Sequence, residues 1–159
     1  MANERNTEHN KTIVRRIYDE LWNERRLEVA GELIAEDGRN YDTGLTPQPF
    51  GPEQMKGADG MISASFLDHH HEVEDIIAEG DKVVAHVTLT ATHEGPFMGI
   101  PPTGRRIEVT EIHIYRLEGG KAVEHRVGRD DLGAMRQLGV IADAVPNPGA
   151  RHESEGAGT

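Results

Sequence analysis

The chain has 159 residues, no cysteine and a formal net charge of −11 at pH 7. This length favours a single domain, and the absence of cysteine excludes thiol nucleophiles, disulfides and thiolate metal ligands. The negative charge argues against a nucleic-acid backbone or an anionic membrane as partner, so a hydrophobic small molecule is the expected ligand. No apolar run approaches the roughly 20 residues that span a bilayer. The polar N-terminus lacks a signal peptide, and we expect a cytoplasmic protein.

Both ends of the chain are polar and are predicted to be disordered. Residues 1–8 carry few apolar side chains, and residues 146–159 combine proline, glycine and charge with almost nothing to bury. The folded domain is therefore expected to span residues 9–145.

Helices are predicted first along the chain. Apolar residues recur at helical spacing from Ile13 to Ile34, and residues 23–26 are expected to divide this stretch into two helices. A loop rich in glycine and proline follows over residues 37–57. Met61 and Phe66 then belong to a short amphipathic helix.

Four strands are predicted after the helices, over residues 71–79, 82–93, 106–117 and 122–129. In the second of them, one face of the strand carries Val83, Ala85, Val87, Leu89 and Ala91. Helices followed by long strands indicate an α+β fold, with a curved antiparallel or mixed sheet and N-terminal helices packed on it. A cone-shaped sheet of this kind can enclose a small-molecule pocket.

Two acids, Asp130 and Asp131, follow the last predicted strand. Strand alternation would place Asp130 on the same face as Arg126 and Gly128. An ionised carboxylate in an apolar pocket can remove a proton from an activated carbon. The competing interpretation is that either acid caps the helix predicted to follow.

Histidines supply further candidate site residues. His113 shares a strand face with Glu111 and Tyr115, so it could polarise a carbonyl or orient a carboxylate, or simply be a hydrogen-bonded histidine of the sheet. His93 either lines the mouth of the pocket or belongs to a loop. The run 69–71 is all histidine, but consecutive strand residues point to opposite faces. We therefore expect no metal site.

A few aromatic residues are expected to form the apolar walls of the pocket. The segment 92–104 lacks the pattern of a phosphate-binding loop and is interpreted as a rigid lid that carries Phe97. Trp22 and Phe66 are predicted to line the cavity. For all three residues, packing in the core or at a subunit interface is the alternative.

Several segments together resemble the SnoaL-like polyketide cyclases, also called ester cyclases, of the nuclear transport factor two-like superfamily. They fall within residues 12–141 and read LWNERRLEVAGELIAED, GPEQMKG, SFLDHHHEVEDIIAEGDKVV, THEGPFMGIPPTGRRIEVT, HIYRLEGGKAVEHR and DDLGAMRQLGV. The resemblance implies that Asp130 is the acid/base aspartate, that His113 lies in the pocket, and that Asp131 is the better candidate for the helix cap.

This chain departs from the family pattern at three places. The family commonly has His-Trp where this chain has His125-Arg126, a histidine at the position of Tyr41, and Phe-Pro-Asp where this chain has Phe66-Leu67-Asp68. The contacts to substrate are therefore expected to differ, and Arg126 and Tyr41 are predicted to be among them.

The resemblance implies a cofactor-independent polyketide cyclase that performs an intramolecular aldol condensation on a hydrophobic polyketide ester. A hydroxylase component or an isomerase with the same pocket, and a non-catalytic ligand-binding or dimerisation module, are the alternatives. The resemblance also implies a homo-oligomer, a dimer or tetramer, that assembles through the outer face of the sheet.

Overall fold

The computed structural model of the chain describes residues 2–42 and 48–142. The predicted disordered tail, residues 146–159, lies outside the described residues. No helix within the described ranges is long and apolar enough to cross a membrane.

The first helix, α1, spans Ala2–Arg16 and therefore includes most of the N-terminal stretch predicted to be disordered. This part of α1 is largely exposed and is held by local contacts. The ammonium of Lys11 lies 2.7 Å from the carboxylate of Glu8, and the hydroxyl of Thr7 donates to the carbonyl oxygen of Glu4 at 2.8 Å. Pairs at this spacing stabilise a helix without burying apolar surface.

A π-helical segment continues α1 over Ile17–Asn23. The amide of Glu24 donates to the carbonyl oxygen of Asp19 at 2.9 Å, a five-residue spacing that makes the turn wider than in an α-helix. The segment buries Tyr18 and partly buries Trp22. It ends at Asn23, where the sequence predicted a break.

Three further helices follow. A 3₁₀ turn over Leu27–Val29 leads into the short helix α2, Ala30–Leu33, and α3 and α4 span Pro52–Ser65 and Asp131–Gln137. Helix α3 begins nine residues before Met61, inside the stretch predicted to be a loop. Pro52 starts this helix favourably because its missing N–H would have no partner there.

The sheet has six strands: β1 Ile34–Asn40, β2 Gln48–Phe50, β3 His70–Glu79, β4 Lys82–Thr92, β5 Arg106–Glu118 and β6 Lys121–Arg129. Their order across the sheet is β2-β1-β6-β5-β4-β3. Among the described strands, only the β1–β6 pair is parallel. The predicted α+β class and mixed sheet are confirmed, but the sheet is open and not closed.

The inner face of the sheet is the one that α1 and the π-helical segment contact. Alternate residues of β4 point to it, as predicted. One apolar cluster joins the helices to the middle of the sheet, and a second lies near α4. The second cluster contains Phe66, Ala91, Ile107, Val109 and Leu138.

Candidate active site

A buried band of polar side chains lies on the inner face of the sheet. The carboxylate Oε2 of Glu111 is 2.9 Å from Nε2 of His113, and Nδ1 of His113 is 2.9 Å from Nε2 of His125. The chain continues to Asn40, whose Oδ1 lies 3.0 Å from Nδ1 of His125. Glu111, His113 and His125 are all less than a tenth exposed. We call these four residues the polar relay.

Strand register brings the polar relay together. Tyr115 lies opposite His125, and Glu111 lies opposite Arg129, so these side chains share one face. Asn40 reaches the relay because β1 runs parallel to β6, with Asn40 opposite His125. The β5–β6 hairpin and the distant strand β1 therefore supply the four side chains.

Aromatic rings surround the polar relay. Tyr18 and Tyr115 share a hydrogen bond between their hydroxyl groups at 3.0 Å, and the ring of Tyr115 stacks on that of His113. Phe50 stacks on His125 with 5.3 Å between ring centroids. Burial raises the pKa of both tyrosines. The tyrosines are therefore neutral hydrogen-bonding groups in this site.

His71 lies beside the relay in an aromatic setting. Its ring centroid is 5.3 Å from that of Trp22 and 6.0 Å from that of Tyr18. Burial lowers the pKa of His71 to about 4, although the charge of Glu111 opposes this shift. Nδ1 of His71 is buried and has no hydrogen-bond partner among the described residues.

His69 belongs to a neighbouring charged cluster. Its Nε2 is 3.2 Å from the hydroxyl of Ser63 and 3.6 Å from Oδ1 of the buried Asp59, and Arg25 pairs with Asp59 at 3.1 Å. Burial lowers the pKa of His69. Among the described residues, no group of three or more His, Asp and Glu side chains is arranged to hold a metal ion.

The two acids after β6 have exchanged their predicted roles as caps. Asp130, and not Asp131, is the N-cap of α4, because its Oδ1 accepts a hydrogen bond from the amide of Gly133 at 2.9 Å. Asp130 is exposed, and its backbone amide donates to the carbonyl oxygen of Thr110. Asp131 is the first helical residue and lies 3.3 Å from Arg129.

Arg126 lies on the outer face of the sheet, so its predicted place beside a pocket carboxylate is wrong. It pairs with Ile114, which also points outward, and its guanidinium lies 3.9 Å from the centre of the Tyr41 ring. Asp130 lies outside the strand, so strand alternation does not relate its position to that of Arg126. The arginine on the inner face is Arg129, which forms an ion pair with Asp42 at 3.0 Å.

The remaining predicted pocket residues separate into two places. Trp22 lies beside His69 and His71, with its ring in contact with both imidazole rings. Phe66, His93 and Phe97 instead pack on one another near the second apolar cluster, and His93 is fully buried.

Glu111, His125, Asn40 and His71 were not predicted as site residues. For Glu111 a signal was present, since it alternates with His113 and Tyr115 on β5. His125 and Asn40 join the relay only through the pairing of β6 with β5 and β1, which strand periodicity does not reveal.

Known proteins share this architecture. A sequence model of the SnoaL-like polyketide cyclase family matches residues 12–138, most of the chain. The chain belongs to the SnoaL-like polyketide cyclase family. It is 34% identical over 130 residues to the aklanonic acid methyl ester cyclase DauD of Streptomyces sp. (strain C5), covering 80% of each chain. It is 36% identical to the nogalonic acid methyl ester cyclase of Streptomyces nogalater, covering 74% of this chain and 89% of that one.

Solved structures of SnoaL-like proteins agree with the fold. IdmH from Streptomyces antibioticus, a candidate polyketide cyclase, superposes with a TM-score of 0.71 at 32% identity, covering 82% of this chain and 98% of IdmH. AclR from Streptomyces galilaeus, a candidate hydroxylase, gives a TM-score of 0.75 at 28% identity, covering 89% and 87% of the two chains. The SnoaL-like fold of this chain therefore accompanies more than one assigned chemistry.

Proposed function

We propose that this SnoaL-like enzyme closes a ring of a hydrophobic polyketide methyl ester by intramolecular aldol condensation, without a cofactor. The observation that carries the proposal is the similarity to two methyl ester cyclases, at 34% and 36% identity over most of each chain. The inner face carries aromatic rings and the polar relay, side chains of the kinds that bind flat apolar rings and carbonyl oxygens.

Asp130 is the residue that we propose as the base. It follows β6 directly, one residue after Arg129, whose partner across the sheet is the relay residue Glu111. Its carboxylate is exposed and accepts a hydrogen bond from the amide of Gly133. An ionised carboxylate can accept a proton from a carbon next to two carbonyl groups, since the substrate delocalises the resulting charge.

The reaction needs no external oxidant or reductant. Asp130 takes the proton, the carbanion attacks an internal carbonyl carbon, one carbon–carbon bond forms, and the former carbonyl oxygen gains a proton. Electrons and atoms balance within the substrate and the proton-transfer groups. The pocket would hold the two reacting carbons in contact, which replaces a collision by a fixed geometry.

Substitution of Asp130 by asparagine tests the proposal. We expect Asp130→Asn to lower the rate of ring closure of aklanonic or nogalonic acid methyl ester by about 10²- to 10⁴-fold, the usual share of a general base. Asparagine caps a helix as well as aspartate does, so α4 should remain folded. The matched control is Asp131→Asn, which removes the adjacent exposed carboxylate and should leave turnover unchanged. Undiminished turnover by Asp130→Asn would show that this residue is not the base.

A hydroxylase activity is the second candidate, favoured by the similarity to AclR. It predicts a product that contains one additional oxygen atom and turnover that depends on oxygen and a reductant. Ring closure at an equal rate with and without oxygen would exclude it for that substrate.

We also propose that the enzyme assembles as a homo-oligomer through the outer face of the sheet. Three isoleucines are exposed there, Ile77 at 61%, Ile112 at 42% and Ile114 at 37%. A groove of about 410 Å³ on the same face is lined in part by Ile77, Val84, Ile114 and Arg126. Apolar side chains concentrated on one sheet face are typical of an interface.

A further inference from the structure

The hydrogen bonds of the polar relay fix where its protons lie. The Oδ1 atom of Asn40 can only accept, so Nδ1 of His125 carries a hydrogen. Burial, with a smaller contribution from the nearby His113, lowers the pKa of His125 to about 3, so this ring is neutral and holds one hydrogen only. Its Nε2 must therefore accept the hydrogen bond that Nδ1 of His113 donates.

With the hydrogen bonds of the relay in this direction, one proton is shared between His113 and Glu111. If His113 is neutral, its Nε2 is bare and the carboxyl group of Glu111 must carry the proton. If His113 is charged, Glu111 is a carboxylate and the proton lies on Nε2. The atoms are 2.9 Å apart in either case, and both side chains are buried. The pair is a buried proton donor.

Asp130 and Glu111 have contrasting environments. Asp130 is exposed and accepts a hydrogen bond from the backbone amide of Gly133. Glu111 is buried among aromatic rings and shares its proton with His113. Two carboxylates in environments that differ in this way are suited to opposite roles, one as base and one as acid.

We propose that Glu111 and His113 together are a catalytic acid that protonates the oxygen formed in ring closure, a task separate from the proton abstraction by Asp130. This inference rests on the proposed cyclase function. In this proposal the exposed Asp130, after β6, is the base, and the buried pair of Glu111 and His113, on β5, is the acid.

Protonation of the oxygen formed in ring closure conserves atoms and charge. As the new carbon–carbon bond forms, the electron pair of the attacked carbonyl moves to its oxygen, and that oxygen takes the shared proton. A neutral His113 and a Glu111 carboxylate remain. Asp130 gives its proton to solvent, and the pair takes one back from solvent, so the enzyme returns to its starting state.

His125 and Asn40 are positioning residues in this proposal. Asn40 accepts a hydrogen bond from His125 and so sets the direction of the hydrogen bonds. His125 in turn accepts a hydrogen bond from Nδ1 of His113. If the amide of Asn40 were turned over, every hydrogen bond in the relay would reverse. His113 would then be neutral with a bare Nδ1, Glu111 would be ionised, and the pair would hold no spare proton.

Hydrogen exchange separates the two roles. Wild-type enzyme and variants would be incubated in D₂O with nogalonic acid methyl ester, and NMR would follow deuterium incorporation at the nucleophilic carbon alongside ring closure. For Glu111→Gln and His113→Gln we expect exchange at a wild-type rate and closure slower by about 10²- to 10⁴-fold. For Asp130→Asn we expect both to be lost. Glu124→Gln, a carboxylate on β6 that pairs with Arg116, is the matched control and should change neither rate.

The outcomes distinguish this inference from the proposed function. Wild-type enzyme that catalyses neither exchange nor closure would contradict the cyclase function itself. Closure at the wild-type rate in either folded variant, Glu111→Gln or His113→Gln, would overturn only the buried acid. Loss of exchange together with closure in a folded variant would also overturn it, since the two tasks would not be separate. Retained exchange would itself show that a variant is folded.

A spectroscopic measurement tests the proton count in the wild-type enzyme without any substitution. We expect ¹⁵N NMR of the histidine rings to show a hydrogen on Nδ1 of His113 and on Nδ1 of His125. A bare Nδ1 on His113 would overturn the proposal, because the relay would then run in the opposite direction.

Discussion

At the residue scale, the site combines a buried proton relay with histidines that burial keeps neutral. The pKa of His71 falls to about 4 and that of His125 to about 3, whereas an unfolded histidine titrates near 6.5. Below pH 6.5 the unfolded chain therefore binds protons that the folded chain does not. The stability contributed by these two residues is complete above pH 6.5 and is lost progressively as the pH falls toward 4 and then 3.

Urea unfolding between pH 7 and pH 4 measures this loss. We expect the free energy of unfolding of the wild type to fall, with His71 contributing up to about 1.4 kcal/mol per pH unit. His71→Phe keeps an aromatic ring against Trp22 and Tyr18 but cannot bind a proton, so its profile should be flatter. Equal slopes for the two proteins would mean that His71 is not held neutral by burial.

The residue scale also shows what sequence could predict about the site. Alternation along β5 placed His113, Glu111 and Tyr115 on one face, and the structure has them there. Alternation failed for Arg126 because the phase was taken from Asp130, which follows the strand and does not belong to it. The other two relay residues, His125 and Asn40, come from β6 and β1, and their register is a property of the sheet as a whole.

At the scale of elements, sequence predicts a strand where apolar residues alternate with polar ones. It does not predict a strand whose residues are mostly polar. Strand β4 alternates strictly and was predicted nearly to its ends. Strand β1 has the sequence IAEDGRN, whose polar residues gave no strand signal, although it carries Asn40 into the relay. Its place in the sheet comes from parallel pairing with β6.

The junction between β4 and α3 depends on a glycine. Gly95 donates to the carbonyl oxygen of Ser65 at 3.1 Å, and a methyl group at this position would collide with the carbonyl of Ala64. We expect Gly95→Ala to lower the free energy of unfolding by about 1–3 kcal/mol, measured by urea denaturation. Gly57→Ala, on an open face of α3, should instead be neutral or stabilise by up to about 1 kcal/mol. Equal effects of the two substitutions would contradict this packing.

At the scale of the whole molecule, the two faces of the sheet have separate tasks. The inner face carries the relay and its aromatic walls, and the outer face carries the exposed isoleucines. We expect the wild type to be an oligomer and Ile114→Asp to be a monomer, as seen by light scattering after size exclusion. Met61→Asp, which changes an exposed residue of α3, should leave the mass unchanged. A wild type that is already monomeric at micromolar concentration would contradict the proposed assembly.

The central claim is that this SnoaL-like chain is a cyclase that removes a proton from carbon and closes a ring. The most direct test is to follow nogalonic acid methyl ester with the wild-type enzyme in D₂O by NMR, beside Asp130→Asn. We expect enzyme-dependent deuterium incorporation at the nucleophilic carbon together with a cyclised product, and the loss of both in Asp130→Asn. Absence of both from the wild-type reaction, or their persistence at the wild-type rate in Asp130→Asn, would contradict it.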